Sequence, residues 1–216
     1  LAHHFIELGK KLGIKVSCVS TFGEQPVGRA MGPALEAREA LNTLLTGRGP
    51  VDLIEKASIV AGMLFEFKGF KNPQQMASDI ITSGKAGKKL KQIIAAQGGN
   101  PNIKPEDIPI GPCVAKLKAA CSGKVWWISN HALVHICREA GAPKAKGAGV
   151  YLYKKVGDAV KKGDVLMEIY SENTFKLNRA LNAASQHYII GIGDKYDMML
   201  ARIPEEKYAK RFILER

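Results

Sequence analysis

The chain has 216 residues, 46% of them hydrophobic and 24% charged, with a net charge of +12. That apolar content suffices for one or two ordinary cores, and no apolar run approaches the ~18 residues of a membrane-spanning helix. The first residues show no signal-peptide pattern, and Cys18, Cys113, Cys121 and Cys137 stand far apart without a C-x-x-C pair. A zinc ribbon or disulfide framework is disfavoured, and a reducing cytoplasm fits better. The basic balance favours phosphorylated substrates or polyanions. Yet the lysines come in dispersed pairs, Lys10-Lys11, Lys88-Lys89, Lys154-Lys155 and Lys161-Lys162, without interleaved aromatics. That pattern predicts solvated faces rather than a nucleic-acid surface.

Leu1, Phe5, Leu8 and Leu12 recur at helical spacing and Gly13 stops the run, so residues 1–12 are predicted helical. Lys15 to Phe22 (KVSCVSTF) alternates and is rich in β-branched residues, which predicts a strand. His3 and His4 would point about 100° apart on a helix and read as surface residues. In Gln25-Pro26-Val27-Gly28, proline fixes φ and glycine frees it, which gives a rigid loop. Gly32-Pro33 then opens a helix with proline at its first position. Strand, loop and helix form a unit able to hold a small ion or brace a neighbouring loop, the alternative being an ordinary βα connection.

Thr46 to Pro50 reads as a turn, and Val51 to Phe67 as a long helix with Leu53, Ala57, Val60, Leu64 and Phe67 on one side. Helices are expected over Gln74–Ser83 and Lys88–Gln97, with Gly84 and Gly87 between them. SGKAGKK lacks the phosphate-loop spacing. The proline- and glycine-rich passage Gly98 to Pro112 is the expected boundary between residues 1–100 and residues 101–216. Beyond it come a strand (Lys124–Ser129) and a helix (His131–Ala140) capped by Asn130 and ended by Gly141. Short β segments follow at Val150–Tyr153, Ala159–Val160 and Val165–Tyr170, punctuated by Gly157-Asp158 and Gly163-Asp164. A helix over Asn173–Gln186 comes next, then strand or loop at Ile189–Ile192 and Met198–Ile203, and a polar helix from Glu205 to Arg216.

The string QPVGRAMGPALEAREAL closely resembles the loop and helix found late in the pyrimidine nucleoside and thymidine phosphorylase family. GPALEAREAL, where bacterial relatives tend to have GNALEV, is most similar to the AMP phosphorylase branch. The resemblance runs from Leu1 to the final helix and implies a C-terminal portion only. It implies the helix-rich end of an α/β domain, then a C-terminal α+β domain of the hammerhead, barrel-sandwich-related kind. The paired Gly-Asp turns also resemble lipoyl and biotinyl carriers, but no lysine sits in the hairpin motif that carriers modify. A carrier function is therefore not expected.

The implied parent activity is transfer of a ribosyl or deoxyribosyl group from AMP to orthophosphate, with a pyrimidine nucleoside such as thymidine the next choice. The implied parent is a cytoplasmic homodimer or other homo-oligomer, with phosphate as co-substrate and no membrane or nucleic-acid partner. The alternative from a different class is a non-enzymatic basic nucleic-acid-binding module. In the family, the phosphate loop and base-binding groups lie upstream of Leu1, so no catalytic or substrate-binding residue is assigned and the chain alone is expected to be inactive. It needs no cofactor, with potassium the one candidate. In bacterial members a potassium ion is held by two loop carbonyls and a helix glutamate, which correspond to Val27, Ala30 and the Glu39 carboxylate; the alternative, favoured for this chain alone, is that Glu39 pairs with a lysine or arginine on the helix surface.

Three further groups merit notice. His131 and His135 lie at i, i+4, with metal binding and packing as the two readings and packing favoured. Trp126 and Trp127 alternate faces, one for the core and one for a surface. Lys144 and Lys146, in a glycine-containing stretch, suit an anion contact or an exposed turn, the turn being favoured.

Overall fold

A computed structural model describes residues 1–193. The expected segments Met198–Ile203 and Glu205–Arg216 lie outside the described residues. Among the described residues, seven α-helices and seven strands follow in chain order. The first part holds α1 (Ala2–Leu12), β1 (Ala30–Met31), α2 (Pro33–Thr46), α3 (Val51–Phe67), α4 (Pro73–Thr82) and α5 (Lys85–Ala96). After a short 3-10 turn at Pro105–Asp107 come β2 (Cys113–Lys118), β3 (Gly123–Ile128), α6 (Asn130–Ala140), β4 (Gly149–Leu152), β5 (Ala159–Val160), β6 (Val165–Ser171), α7 (Thr174–Gln186) and β7 (Ile190–Gly193).

The fold is α+β with two small antiparallel sheets, ordered β1-β4-β6-β2 and β5-β3-β7. Helices α6 and α7 pack on the larger sheet, and the core between them is built from Leu133, Ile136, Val150, Leu152, Met167, Ile169 and Ala180. Strand β6 is buried along nearly all of its length. The larger sheet is completed by a strand from far upstream. In β1, Ala30 pairs with Tyr151 and Met31 with Val150.

Helix α1 ends on Gly13 in the left-handed region, as expected, and His3 and His4 are exposed. Lys15–Phe22 forms no strand: the alternation is present, but no neighbouring segment among the described residues supplies a ladder, and Val19 and Phe22 are exposed. Helix α3 has the expected bounds but turns a different face inward. Ser58 and Gly62 are its buried residues, because a Cβ at Gly62 would lie 2.9 Å from the Gln74 backbone where α4 crosses. Val60, Leu64 and Phe67, expected to pack, are exposed.

Gly87 does not separate two helices. It lies inside α5, which begins at Lys85, and a Cβ there would stand 2.3 Å from the Leu44 carbonyl oxygen of α2. Ser129, not Asn130, caps α6, its hydroxyl accepting the Ala132 amide hydrogen at 3.1 Å. Asn130 instead donates its side-chain amide to the Gly23 carbonyl at 2.7 Å. The β segments at residues 150–170 and helix α7 lie where expected, and Ile190–Gly193 is a strand paired with β3.

Candidate functional site

The loop before α2 is held from four directions. Helix α2 starts at Pro33 after Gly32, whose φ of 116° and lack of a Cβ let it lie against the Ala148 carbonyl. In its first turn the Glu36 carboxylate accepts the Gly32 amide hydrogen at 2.9 Å. One turn further on, Glu39 folds back over the loop. Both of its oxygens accept the Arg29 amide hydrogen at 3.1 Å, and one accepts that of Ala30 at 3.4 Å. Gly28 makes room for this carboxylate: its φ is 71°, and a Cβ would lie 2.2 Å from Glu39 Oε2.

From α3, Asp52 accepts the Gly28 amide hydrogen at 3.2 Å with one oxygen and the Leu53 amide hydrogen at 3.0 Å with the other. From the β4–β5 turn, the Lys155 ammonium donates to the carbonyls of Pro26 and Gly28, the latter at 2.6 Å, and pairs with Asp52 Oδ2 at 2.9 Å. The Val156 amide donates to Gln25 Oε1 at 3.0 Å, and Arg29 Nη1 donates to the carbonyls of Leu152 (3.3 Å) and Tyr153 (2.6 Å). Lys155 was expected on a solvated face with Lys154. It is 9% exposed, its ammonium taken up by the Pro26 and Gly28 carbonyls and Asp52, while the Asp158 carboxylate accepts its amide hydrogen at 2.8 Å.

Beside the loop lies a cleft of about 550 Å³, lined by Arg29, Arg38, Glu39, Asn42, Glu106 and Tyr151 among others. Arg38 donates to the Ile108 and Glu106 carbonyls at 2.7 and 3.2 Å, which pins the proline-rich passage over α2. Burial first, then the Glu39 charge, pushes the Tyr151 phenol above its ordinary range, so it enters the cleft as a neutral donor.

Of the residues expected to hold a cation, Glu39 reaches the loop. Ala30 is buried in β1, and Val27 is half-buried between the Lys155 contacts at Pro26 and Gly28. The donor set suits a monovalent cation in part. One carboxylate lies beside the turn, but its oxygens already accept amide hydrogens, and the charges of Arg29 and Lys155 serve the same loop.

A second polar cluster sits on the sheet. Glu168, 7% exposed, accepts the Tyr170 hydroxyl, the Tyr153 hydroxyl at 3.0 Å and the Lys116 ammonium at 3.3 Å. Burial acts to raise its carboxyl, but these hydrogen bonds and the Lys116 charge outweigh it and hold the group below the ordinary range. The counterpart is Tyr170, raised far above a normal phenol by burial and by Glu168.

His131 and His135 both pack edge-on against His187, with ring centroids 6.3 and 5.2 Å away. No metal-holding cluster of histidine, cysteine or carboxylate groups occurs among the described residues. Trp127 is 44% exposed, while Trp126 donates to the Gly193 carbonyl at 2.8 Å. Lys144 and Lys146 are exposed.

Residues 125–191, from β3 into β7, match the pyrimidine nucleoside phosphorylase C-terminal domain. The chain is thus related to the C-terminal portion of that family's proteins. An AMP phosphorylase of Thermococcus kodakarensis is 53% identical over 184 residues, which is 84% of this chain and 37% of the relative. AMP phosphorylase 1 of Archaeoglobus fulgidus is 50% identical over 186 residues, 86% of this chain and 37% of the relative. An AMP phosphorylase of Methanosarcina acetivorans is 44% identical over 207 residues, 94% of this chain and 40% of the relative. The chain spans about two fifths of the length of these curated relatives. Their names give no support to a nucleic-acid-binding module.

The loop residues that matter most were only partly visible in the sequence. Glu39 was expected. Asp52 was not, although an acidic residue in the first turn of a helix that follows Gly-Pro is a recognisable signal. Which lysine of Lys154-Lys155 turns inward depends on the β4–β5 turn and has no sequence signature.

Proposed function

We propose that this chain is the C-terminal portion of an enzyme that transfers the ribosyl group of AMP to orthophosphate and releases the base. The observation that carries the reading is the similarity of 84–94% of the chain to proteins named AMP phosphorylase. Phosphorolysis needs phosphate held in line with C1′, donors for the departing base and electrostatic stabilisation of a cation-like sugar. In this proposal those groups lie in the part of the parent that the chain does not contain. The chain supplies framework and a braced loop. In this reading, exposed apolar residues of the first part, including Leu8, Phe22, Leu64 and Phe67, are covered by the remainder of the parent.

Within this reading, residues 1–100 end an α/β domain and residues 101–216 form a hammerhead-like domain. The twin turns support the second assignment: Asp158 accepts the Lys155 amide hydrogen at 2.8 Å and Asp164 that of Lys161 at 3.1 Å, each behind a glycine. Among the described residues the main core cluster draws its buried members from Ala119 to Ile189, with Met31 of β1 packed against it, which supports the division. Limited proteolysis should cut first within Gly98–Pro112. A potassium ion at the Val27 and Ala30 carbonyls and Glu39 belongs to the same proposal and is supported by the reach of Glu39 into the loop. So do a homo-oligomeric state and a cytoplasmic location, the latter favoured by four free cysteines; no helix among the described residues is long and apolar enough to cross a membrane.

The test is base release, measured chromatographically, from AMP, thymidine and uridine with phosphate. The parent enzyme should release adenine from AMP, and the 216-residue chain should release nothing above blank. Preference of the parent for thymidine or uridine would replace AMP with a pyrimidine nucleoside, and turnover by the chain alone would overturn the assignment of the chemistry to the missing part.

A further inference from the structure

A buried ammonium costs free energy unless its charge is compensated and each of its three N–H groups finds an acceptor. Lys155 meets both conditions within one small nest. Its three acceptors are the Pro26 carbonyl, the Gly28 carbonyl at 2.6 Å and Asp52 Oδ2 at 2.9 Å. None comes from the neighbourhood of Lys155: two lie in the loop before α2 and one in the first turn of α3. The left-handed backbone at Gly28 sets the orientation of that residue's two polar groups. Its amide donates to Asp52 while its carbonyl accepts from the ammonium, so carboxylate and cation grip one residue from both sides.

Two carbonyl oxygens and one carboxylate are the hard oxygen donors that hold alkali cations. An ammonium ion and a potassium ion are close in size. We propose that Pro26, Gly28 and Asp52 form a monovalent-cation site whose occupant is the chain's own tethered ammonium, Lys155. This site is distinct from the Val27, Ala30 and Glu39 set, because Glu39 turns its oxygens to the Arg29 and Ala30 amides. It does not rest on the phosphorolytic reading. Its consequence is that the Pro26–Gly28 end of the loop is ordered by a cation that cannot diffuse away, so the order of that end does not depend on salt composition.

The experiment separates this from an ordinary structural ion pair. Lys155→Ala, which vacates the nest, and Lys155→Met, which fills it with an uncharged chain, are melted beside the wild-type 216-residue chain. Potassium, ammonium, lithium and choline chlorides are used at equal ionic strength. Lys155→Ala should lose about 5–15 °C in choline, as expected for removing one partner of a buried pair. It should recover much of that loss in ammonium and potassium but not in lithium. Lys155→Met should not recover in any salt, and in a Glu39→Gln background, which removes the carboxylate of the Val27, Ala30 and Glu39 set, the chain with Lys155 intact should be indifferent to the cation. Adding Asp52→Asn to Lys155→Ala should abolish the recovery. Asp52→Asn alone, which keeps the ammonium, should speed amide hydrogen exchange at Gly28 and Arg29. The proposal is overturned if Lys155→Ala is unfolded in every salt, or as stable as the wild type, or if recovery is equal in all four salts or survives Asp52→Asn. Unchanged exchange in Asp52→Asn overturns it as well.

Discussion

Replacing Gly28 by alanine tests the loop at its tightest point. The residue sits at φ 71°, where an L side chain costs about 1–2 kcal/mol. The new Cβ would also lie 2.2 Å from Glu39 Oε2, so the carboxylate must leave the Arg29 and Ala30 amides. Losing a charged acceptor from half-buried amides adds about 1.5–3 kcal/mol. The expected total is about 2.5–5 kcal/mol, a fall in Tm of about 5–20 °C for a chain of this size. Gly84→Ala is the control, because its φ is 75° but nothing lies within 4 Å of the added Cβ, so only the backbone term applies. Urea and thermal unfolding of both variants should differ by about 1.5–3 kcal/mol, with unchanged urea m-values. In a Glu39→Ala background the contact term vanishes, and Gly28→Ala should cost no more than Gly84→Ala. Equal costs for the two glycine variants in the native background, or full additivity of Gly28→Ala with Glu39→Ala, would refute the argument.

Glu168 should make stability pH-dependent in one direction. Its carboxyl is lowered in the folded chain, so its contribution is complete above the ordinary carboxylate range and disappears as pH falls through the lowered value. Urea unfolding from neutral to acid pH should show that slope, reduced in Glu168→Gln. Burial first, then the Glu36 charge, pushes the Cys137 thiol up to about 12, whereas Cys18 and Cys121 are exposed. A thiol reagent at mildly alkaline pH should label those two rapidly and Cys137 only after unfolding, as peptide mapping would show. In the full-length parent, Glu39→Gln should weaken any potassium dependence of turnover while circular dichroism stays unchanged; activity indifferent to potassium and to the substitution removes that site.

Local chemistry was legible wherever a residue type dictates its own backbone. Gly32-Pro33 marked the start of α2, Gly13 and Gly141 stopped α1 and α6, and both Gly-Asp pairs became turns. What was not legible depends on partners distant in sequence. The alternation of Lys15–Phe22 predicts a strand, but a ladder needs a second segment. Strand β2 carries the same signal, with Cys113, Ala115 and Leu117 inward and Val114, Lys116 and Lys118 outward, yet it was hidden behind the proline-rich passage. Gly87 reads as a break by composition and is an approach point between helices by geometry. Lys155 and Asp52 each follow a local rule, and their meeting depends on the fold that brings the β4–β5 turn to α3.

The two-residue strand β1 also bears on the order in which the molecule assembles. Arg29 and Leu152, which exchange backbone and side-chain hydrogen bonds at this edge, are 123 residues apart along the chain. Closing a loop of that length costs about 2 kcal/mol more than closing one of ten residues. The edge should therefore form late, after β4 and β6 have already paired. During synthesis the loop at Gln25–Met31 leaves the ribosome before the strand and the lysine that clasp it, and waits, solvated, while the 123 residues that follow Arg29, up to Leu152, are made. A later part of the chain thus decides the conformation of an earlier one.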